Sequence, residues 1–255
     1  MPTHLLSFEK HWLSECESTN MYAIGQIHAG LAKAGDVFHT PKQTQGKGQR
    51  GKKWVTAHGQ NLTMSLVLNT TKFSISQHFR LSAAMALAAA NFYKQFGAKK
   101  VCIKWPNDIF IDDRKAGGIL IENVLHSGIW KWSVAGMGLN INQENFPEDL
   151  AHVTSLALAT QHQFNLDICL ERLLHNIQLQ WNRLGRGEWD NMLADYNHLL
   201  YGKGTVCRLR KDNAIIPCLI RRVNNHGILM AGEMEEFQFD FGEVSWLLDP
   251  ADPNR

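Results

Sequence analysis

"KWPNDIFIDDRKAGGIL", Lys104 to Leu120, sets apolar runs against turn residues and a cation, Lys115, beside two glycines. Pro106-Asn107-Asp108 marks one tight turn and Asp112-Asp113 a second, so the segment reads as strands folded back on one another. Lys115 stands at the entrance of the last strand, and the residues after it, Ala116, Gly117 and Gly118, have almost no side chains. Glycines there let a ligand come close to the backbone. Taken alone, the segment reads equally well as an ordinary hairpin with a solvated turn lysine.

Working outward, "KVCIKW" leads into this segment and "WKWSVAGMGLNIN" follows it, both as strands. The second carries Gly136 and Gly138, which again suggest a bulge or a close approach. Upstream, "NLTMSLVLN" and "DVFHT" read as strands, and "LSAAMALAAANFYKQFG", Leu81 to Gly97, as an alanine-rich helix stopped by glycine. Ser18 is placed to cap a helix through "TNMYAIGQIHA", with Gly30 to end it. Two further helices, "DICLERLLHNIQLQWNRL" and "WDNMLADYNHLL", carry apolar residues at helical spacing. From Tyr201 only short strands remain. The expectation is an α+β chain: a mixed or antiparallel sheet packed on helices over residues 1–200, then a small all-β module over residues 201–255.

A chain of 255 residues with 44% hydrophobic content can bury such a core, and its formal charge of +2 gives no global reason to expect nucleic acid or membrane as a partner. Cys16, Cys102, Cys169, Cys207 and Cys218 are scattered and lack C-x-x-C spacing, which points away from a disulfide framework or a zinc site and suits a reducing cytoplasm. No signal peptide and no apolar run of membrane-spanning length is evident. Metal ligands are not identifiable.

"QTQGKGQRGKKW", Gln43 to Trp54, imitates two phosphate-binding motifs by its glycine spacing. Both motifs need a helix behind the loop to receive the phosphate, and here Gly59 and Asn61 intervene before a strand. What remains is a glycine loop carrying Lys47, Arg50, Lys52 and Lys53: a solvated turn, or backbone N–H groups and cations that wrap an anion.

The ordered set "STN", "Q-x-x-G-x-G-x-x-G-x-x-W", "KWPND", "RKAGGIL" and "GMGLN", from Ser18 to about Asn142, resembles the biotin–protein ligase family, also called biotin–[acetyl-CoA-carboxylase] ligase. "KWPND" followed by "RK-x-x-G" is specific; the glycine loop alone is not. The resemblance implies a class II synthetase-like core with an SH3-like C-terminal domain. It also implies two reactions: biotin and ATP, with Mg2+, give biotinyl-5′-adenylate, and the acyl group passes to a lysine of the biotin carboxyl carrier protein of a biotin-dependent carboxylase. By motif, Ser18, Thr19, Asn20, Gln43, Gly46, Lys47 and Gly48 would surround the ureido ring, with Gly118, Leu120, Gly136 and Met137 lining the biotin pocket. Lys115 and Arg50 would be the catalytic cations. Lys104, Trp54, Asn107, Asp108 and Asn140 would join them at the nucleotide, with Trp54 and Asn140 against adenine and Asn107 and Asp108 near the phosphates and magnesium. The C-terminal module offers no evident site residues.

This chain departs from the family's usual G-R-G-R-x-G loop at Lys47 and Gln49, which loses one planar fork and one charge and bears on how tightly the adenylate is held. About 17 residues precede Ser18, too few for the winged helix-turn-helix that some members carry, so the resemblance implies the monofunctional type. The rivals are a lipoate–protein ligase, whose "RR-x-[ST]-G-G-G" segment is absent, and a non-catalytic biotin-sensing regulator. The oligomeric state, a homodimer included, stays open.

Overall fold

The computed structural model describes residues 5–150, 152–233 and 235–248. Seven strands, β1 (Glu9–Trp12), β2 (Asp36–His39), β3 (Leu62–Asn69), β4 (Val101–Lys104), β5 (Asp108–Ile111), β6 (Arg114–His126) and β7 (Ile129–Leu139), form one sheet. Their order is β1-β2-β3-β7-β6-β5-β4, with β1 and β2 parallel and every other pair antiparallel. The sheet is thus mixed. β1 went unrecognised because a four-residue edge strand reading "EKHW" has no apolar alternation to betray it.

Strand alternation gives this sheet two unlike faces. In β3, Met64, Leu66 and Leu68 point to one side, and β7 brings Met137 and Ala135 into register with the first two. The opposite side receives Thr63 and Ser65, paired with Gly138 and Gly136, which in turn pair with Gly118 and Leu120 of β6. One face is therefore apolar, and the other is nearly bare at its centre.

Helices cover the apolar face. α2 (His78–Gln95) has small buried side chains at Ala83, Ala84 and Ala86, so it lies close to the sheet, with Leu170, Leu173 and Ile177 of α4 (Leu166–Gly185) in the same core. Truncating a residue of such a core to alanine costs about 2–5 kcal/mol, so the sheet is a stiff platform. α2 starts three residues before Leu81, behind a 3-10 turn over Ile75–Gln77 held by a Ser74 and Gln77 capping box. Two shorter helices, α3 (Leu156–Thr160) and α5 (Trp189–His198), complete the set, with α3 not foreseen because five residues carry no periodicity. On the bare face lies α1 (Thr19–His28), seated by Ala23 against Phe38, Val67 and Val134.

A second sheet is built from β8 (Val206–Lys211), β9 (Ala214–Val223), β10 (Leu229–Ala231), β11 (Phe237–Phe239) and β12 (Ser245–Leu247), in the order β11-β10-β9-β8-β12. It is fastened to the first. The Trp105 indole N–H donates to Gly227 O at 2.8 Å, and its ring stacks on Phe241 at 5.4 Å between centroids. Asn197 exchanges two hydrogen bonds with the Val223 backbone, at 2.9 and 2.6 Å. Among the described residues no helix is long and apolar enough to cross a membrane, and the five cysteines are free thiols.

Candidate active site

A cavity of about 740 Å3 opens on the bare face, within the size range of small-molecule sites. Lys47, Arg50, Lys52, Lys53, Lys104 and Lys115 line it, against one carboxylate among the described residues, Asp108. Focused positive potential of that kind favours an anionic occupant.

Lys115 owes its direction to a β-bulge. Ile109 pairs with Gly117 but Phe110 pairs with Lys115, so Ala116 is an extra residue in β6. Without it, alternation would send Lys115 into the apolar face; with it, the side chain shares the face of Gly118. The backbone is clamped as well: Lys115 N–H donates to His152 O at 2.7 Å, and Thr154 N–H donates to Lys115 O at 2.9 Å. Its ammonium lies 2.6 Å from Asp108 Oδ1 and 5.7 Å from the Trp54 ring centroid. Asp108 Oδ2 faces the Lys104 ammonium at 3.2 Å. Burial alone would raise the Asp108 pKa, but Lys115 and then Lys104 outweigh it and hold the carboxyl below its usual range. Burial pushes the Lys104 ammonium down, with Asp108 opposing.

The glycines admit side chains of the site itself. A methyl group on Gly136 would collide with the Asn20 amide, and one on Gly138 with the Trp54 indole. One on Gly118 would touch Lys115 Nζ at 3.4 Å and Asp108 Oδ1 at 3.5 Å. The bulge lies at Ala116, not at Gly136 or Gly138. Met137 lines the cavity, though strand alternation places its side chain in the apolar core, where it is 2% exposed. Gly46 is not part of the lining; it packs under the Trp54 carbonyl, where any side chain would clash.

One end of the cavity is polar. Ser18 holds the N-cap position of α1 but makes no side-chain cap bond. The cap comes from Gln43, whose Oε1 accepts from Thr19 N–H at 2.7 Å. Asn20 donates from Nδ2 to Leu120 O at 3.2 Å and to Glu122 Oε2 at 2.7 Å. Ser18, Thr19, Asn20, Gln43 and Leu120 all line this end. Asn107 and Asn140 also line the cavity, yet their amides serve the scaffold, donating to Ile119 O and to Thr154 O respectively.

The glycine loop borders the same cavity as a narrow hairpin, with Lys47 bridged to Lys53 and Gly48 N–H donating to Lys52 O at 2.7 Å. No helix follows it; the next element is β3, as its sequence required. Lys47 and Gly48 border the cavity beside Gln49 and Lys53. Arg50, at φ 57°, lays its guanidinium against Gly242 of the second sheet's module. That module also supplies Val244, Ser245 and Trp246 to the cavity wall, which corrects the expectation that it carries no site residues. Sequence gave no signal for them, because a wall contributed from a distant turn has no local motif. The indole N–H groups of Trp54 and Trp246 are buried with no partner among the described residues.

A family model described as the Biotin/lipoate A/B protein ligase family matches residues 12–140, about half of the chain. The chain belongs to that family. It is 33% identical over 136 residues to the bifunctional ligase/repressor BirA of Escherichia coli, covering 53% of this chain and 41% of the relative. It is 34% identical over 131 residues to the biotin–[acetyl-CoA-carboxylase] ligase of Paracoccus denitrificans, covering 51% and 53%. These matches thus span about half, or less, of the relatives' own length. Among solved structures, a biotin protein ligase from Aquifex aeolicus in complex with biotin and ATP superposes with a TM-score of 0.80 over 94% of this chain and 99% of that one, at 21% identity, a likeness of fold.

Proposed function

We propose that the chain is a biotin–[acetyl-CoA-carboxylase] ligase, joining biotin to ATP and passing the biotinyl group to a lysine of a biotin carboxyl carrier domain. The observation that carries this reading is the placement of Lys115, turned by a bulge into a cationic cavity that the polar residues and the glycine loop also line. In the first step a carboxylate oxygen bonds to the α-phosphorus and the bond to pyrophosphate breaks. Two anions meet there, and a fixed ammonium lowers their repulsion and stabilises charge on the phosphoryl centre. In the second step a lysine amine attacks the acyl carbon and AMP leaves. Ser18, Thr19, Asn20 and Gln43 would take the biotin head, Leu120 and the strand at Gly118 and Gly136 would flank it, and Trp54 and Lys104 would sit beside the nucleotide.

The glycine loop suits a cover that keeps water from the mixed anhydride, with Arg50 holding it against Gly242. Magnesium would arrive on the ATP phosphates, since the lining carboxylate of Asp108 is engaged by two ammonium groups. Free thiols at all five cysteines suit a reducing cytoplasm. The test is incubation with ATP, magnesium, and biotin or lipoate in parallel. Mass spectrometry should show biotinyl-adenylate; lipoyl-adenylate alone, or neither product, overturns the reading.

A further inference from the structure

Behind the polar end lie two residues outside the cavity lining, Ser65 and Glu122. Ser65 is fully buried, with Oγ 2.5 Å from Asn20 Oδ1 and 2.7 Å from Thr19 Oγ1. Glu122 and the Leu120 carbonyl can only accept hydrogen bonds, so both must face the NH2 of Asn20. That fixes the amide. Asn20 Oδ1 then points toward Ser65 and over Gly136, whose missing side chain leaves room for it.

A hydroxyl has one proton. Ser65 must spend its proton on Asn20 Oδ1, which can only accept. The 2.7 Å contact between Ser65 and Thr19 therefore needs the Thr19 proton. Thr19 Oγ1 is also 3.1 Å from Gln43 Oε1, and it could donate there only by leaving the shorter contact with Ser65 without a proton. Gln43 does not need it, because its Oε1 already accepts from Thr19 N–H at 2.7 Å. The protons thus run from Thr19 to Ser65 to Asn20 and on to Glu122, and Thr19 Oγ1 and Gln43 Oε1 stand as adjacent acceptors with no proton between them.

We propose that Ser65 and Glu122 are positioning residues that lock the polar end as an array of acceptors, so that it selects a ligand head bearing N–H donors, such as a cyclic urea, over a sulfur or hydrocarbon ring. This rests on the ligase reading above and assigns its selectivity. A site built to pair polar groups rejects analogues that lack them, because the buried acceptors are left unsatisfied.

The test compares wild type with Ser65→Ala, Glu122→Leu and Glu122→Gln, using biotin calorimetry and pyrophosphate release with biotin or lipoate. Ser65→Ala frees the Thr19 proton to turn to Gln43, and biotin Kd and KM should rise about tenfold or more. The KM for ATP and the kcat at saturating biotin should hold, and the preference for biotin over lipoate should fall. Glu122→Leu releases the Asn20 amide and should do the same, whereas Glu122→Gln keeps an acceptor and should restore most of the affinity. Should Ser65→Ala fail to fold, the partly exposed Glu122 pair still decides. Biotin affinity and selectivity at wild-type values in the folded Ser65→Ala or Glu122→Leu variant overturns the inference, while absence of biotin binding to wild type overturns the ligase reading itself.

Discussion

Lys115 reaches Asp108 at 2.6 Å only because the extra residue Ala116 turns the lysine across the sheet, so one inserted backbone unit sets the geometry of the cation. Lys115→Ala should lower biotin-dependent pyrophosphate release by about 10²–10³-fold, the usual cost of a lost donor at a developing charge. It should also lose about 1–3 kcal/mol of stability, since Asp108 then keeps Lys104 alone. Release within a few-fold of wild type would remove Lys115 from the catalytic role.

Asp108 also carries an acid signature. Its folded pKa lies below the unfolded one, so the stability it adds is present above about pH 4 and disappears as pH falls through the folded value. In Asp108→Asn that increment is missing at every pH, so its unfolding free energy should fall less steeply than that of wild type below about pH 4. Urea melts from pH 2 to 7 measure the two slopes; parallel curves would mean that the pair carries no net linkage.

Gly136 and Gly138, two residues apart on one face of β7, should separate the two ligands. Gly136→Ala pushes on Asn20 and should weaken biotin binding, while Gly138→Ala pushes on Trp54 and should weaken ATP binding more than biotin binding. Overpacking of this kind costs about 1–3 kcal/mol. Titration calorimetry with each ligand checks the pattern, and equal loss of both ligands in both variants would show a general disturbance of the sheet.

The contact between Arg50 and Gly242 should govern how long the adenylate stays. A methyl group on Gly242 would come within 2.6 Å of Arg50 Cζ, at a backbone φ of +83° that strains any L side chain. Gly242→Ala and Arg50→Gly should both speed escape of biotinyl-adenylate and raise labelling of bystander lysines. Gln49→Arg, which adds a planar fork beside the phosphates, should slow it. Equal dissociation rates in all three and in wild type would mean that the loop is only a surface turn.

Much of the frame was legible because strands β3 to β7 combine apolar alternation with Pro, Asn and Asp turns, and α2 is rich in alanine. The two glycines of β7 were visible as unusual, but their purpose was not. Gly136 and Gly138 are matched to Asn20 and Trp54, which lie more than 80 residues away in sequence, and only the folded sheet brings them together. The same holds for Met137, which lines the cavity while strand register keeps its side chain in the core. The bulge at Ala116 left no mark either, since an alanine in a strand is unremarkable. Ser65 and Glu122 escaped notice because they act through Asn20 and belong to no motif.

The stack of Trp105 on Phe241 ties the turn that carries Asp108 to the module beyond Tyr201. Grafting residues 201–255 from a relative onto this core would therefore transplant a foreign partner for Trp105, and the hybrid would inherit a mismatched seat at the wall of its own cavity. Such exchanges should succeed only when the aromatic at the position of Phe241 and the bare backbone at Gly227 and Gly242 travel together.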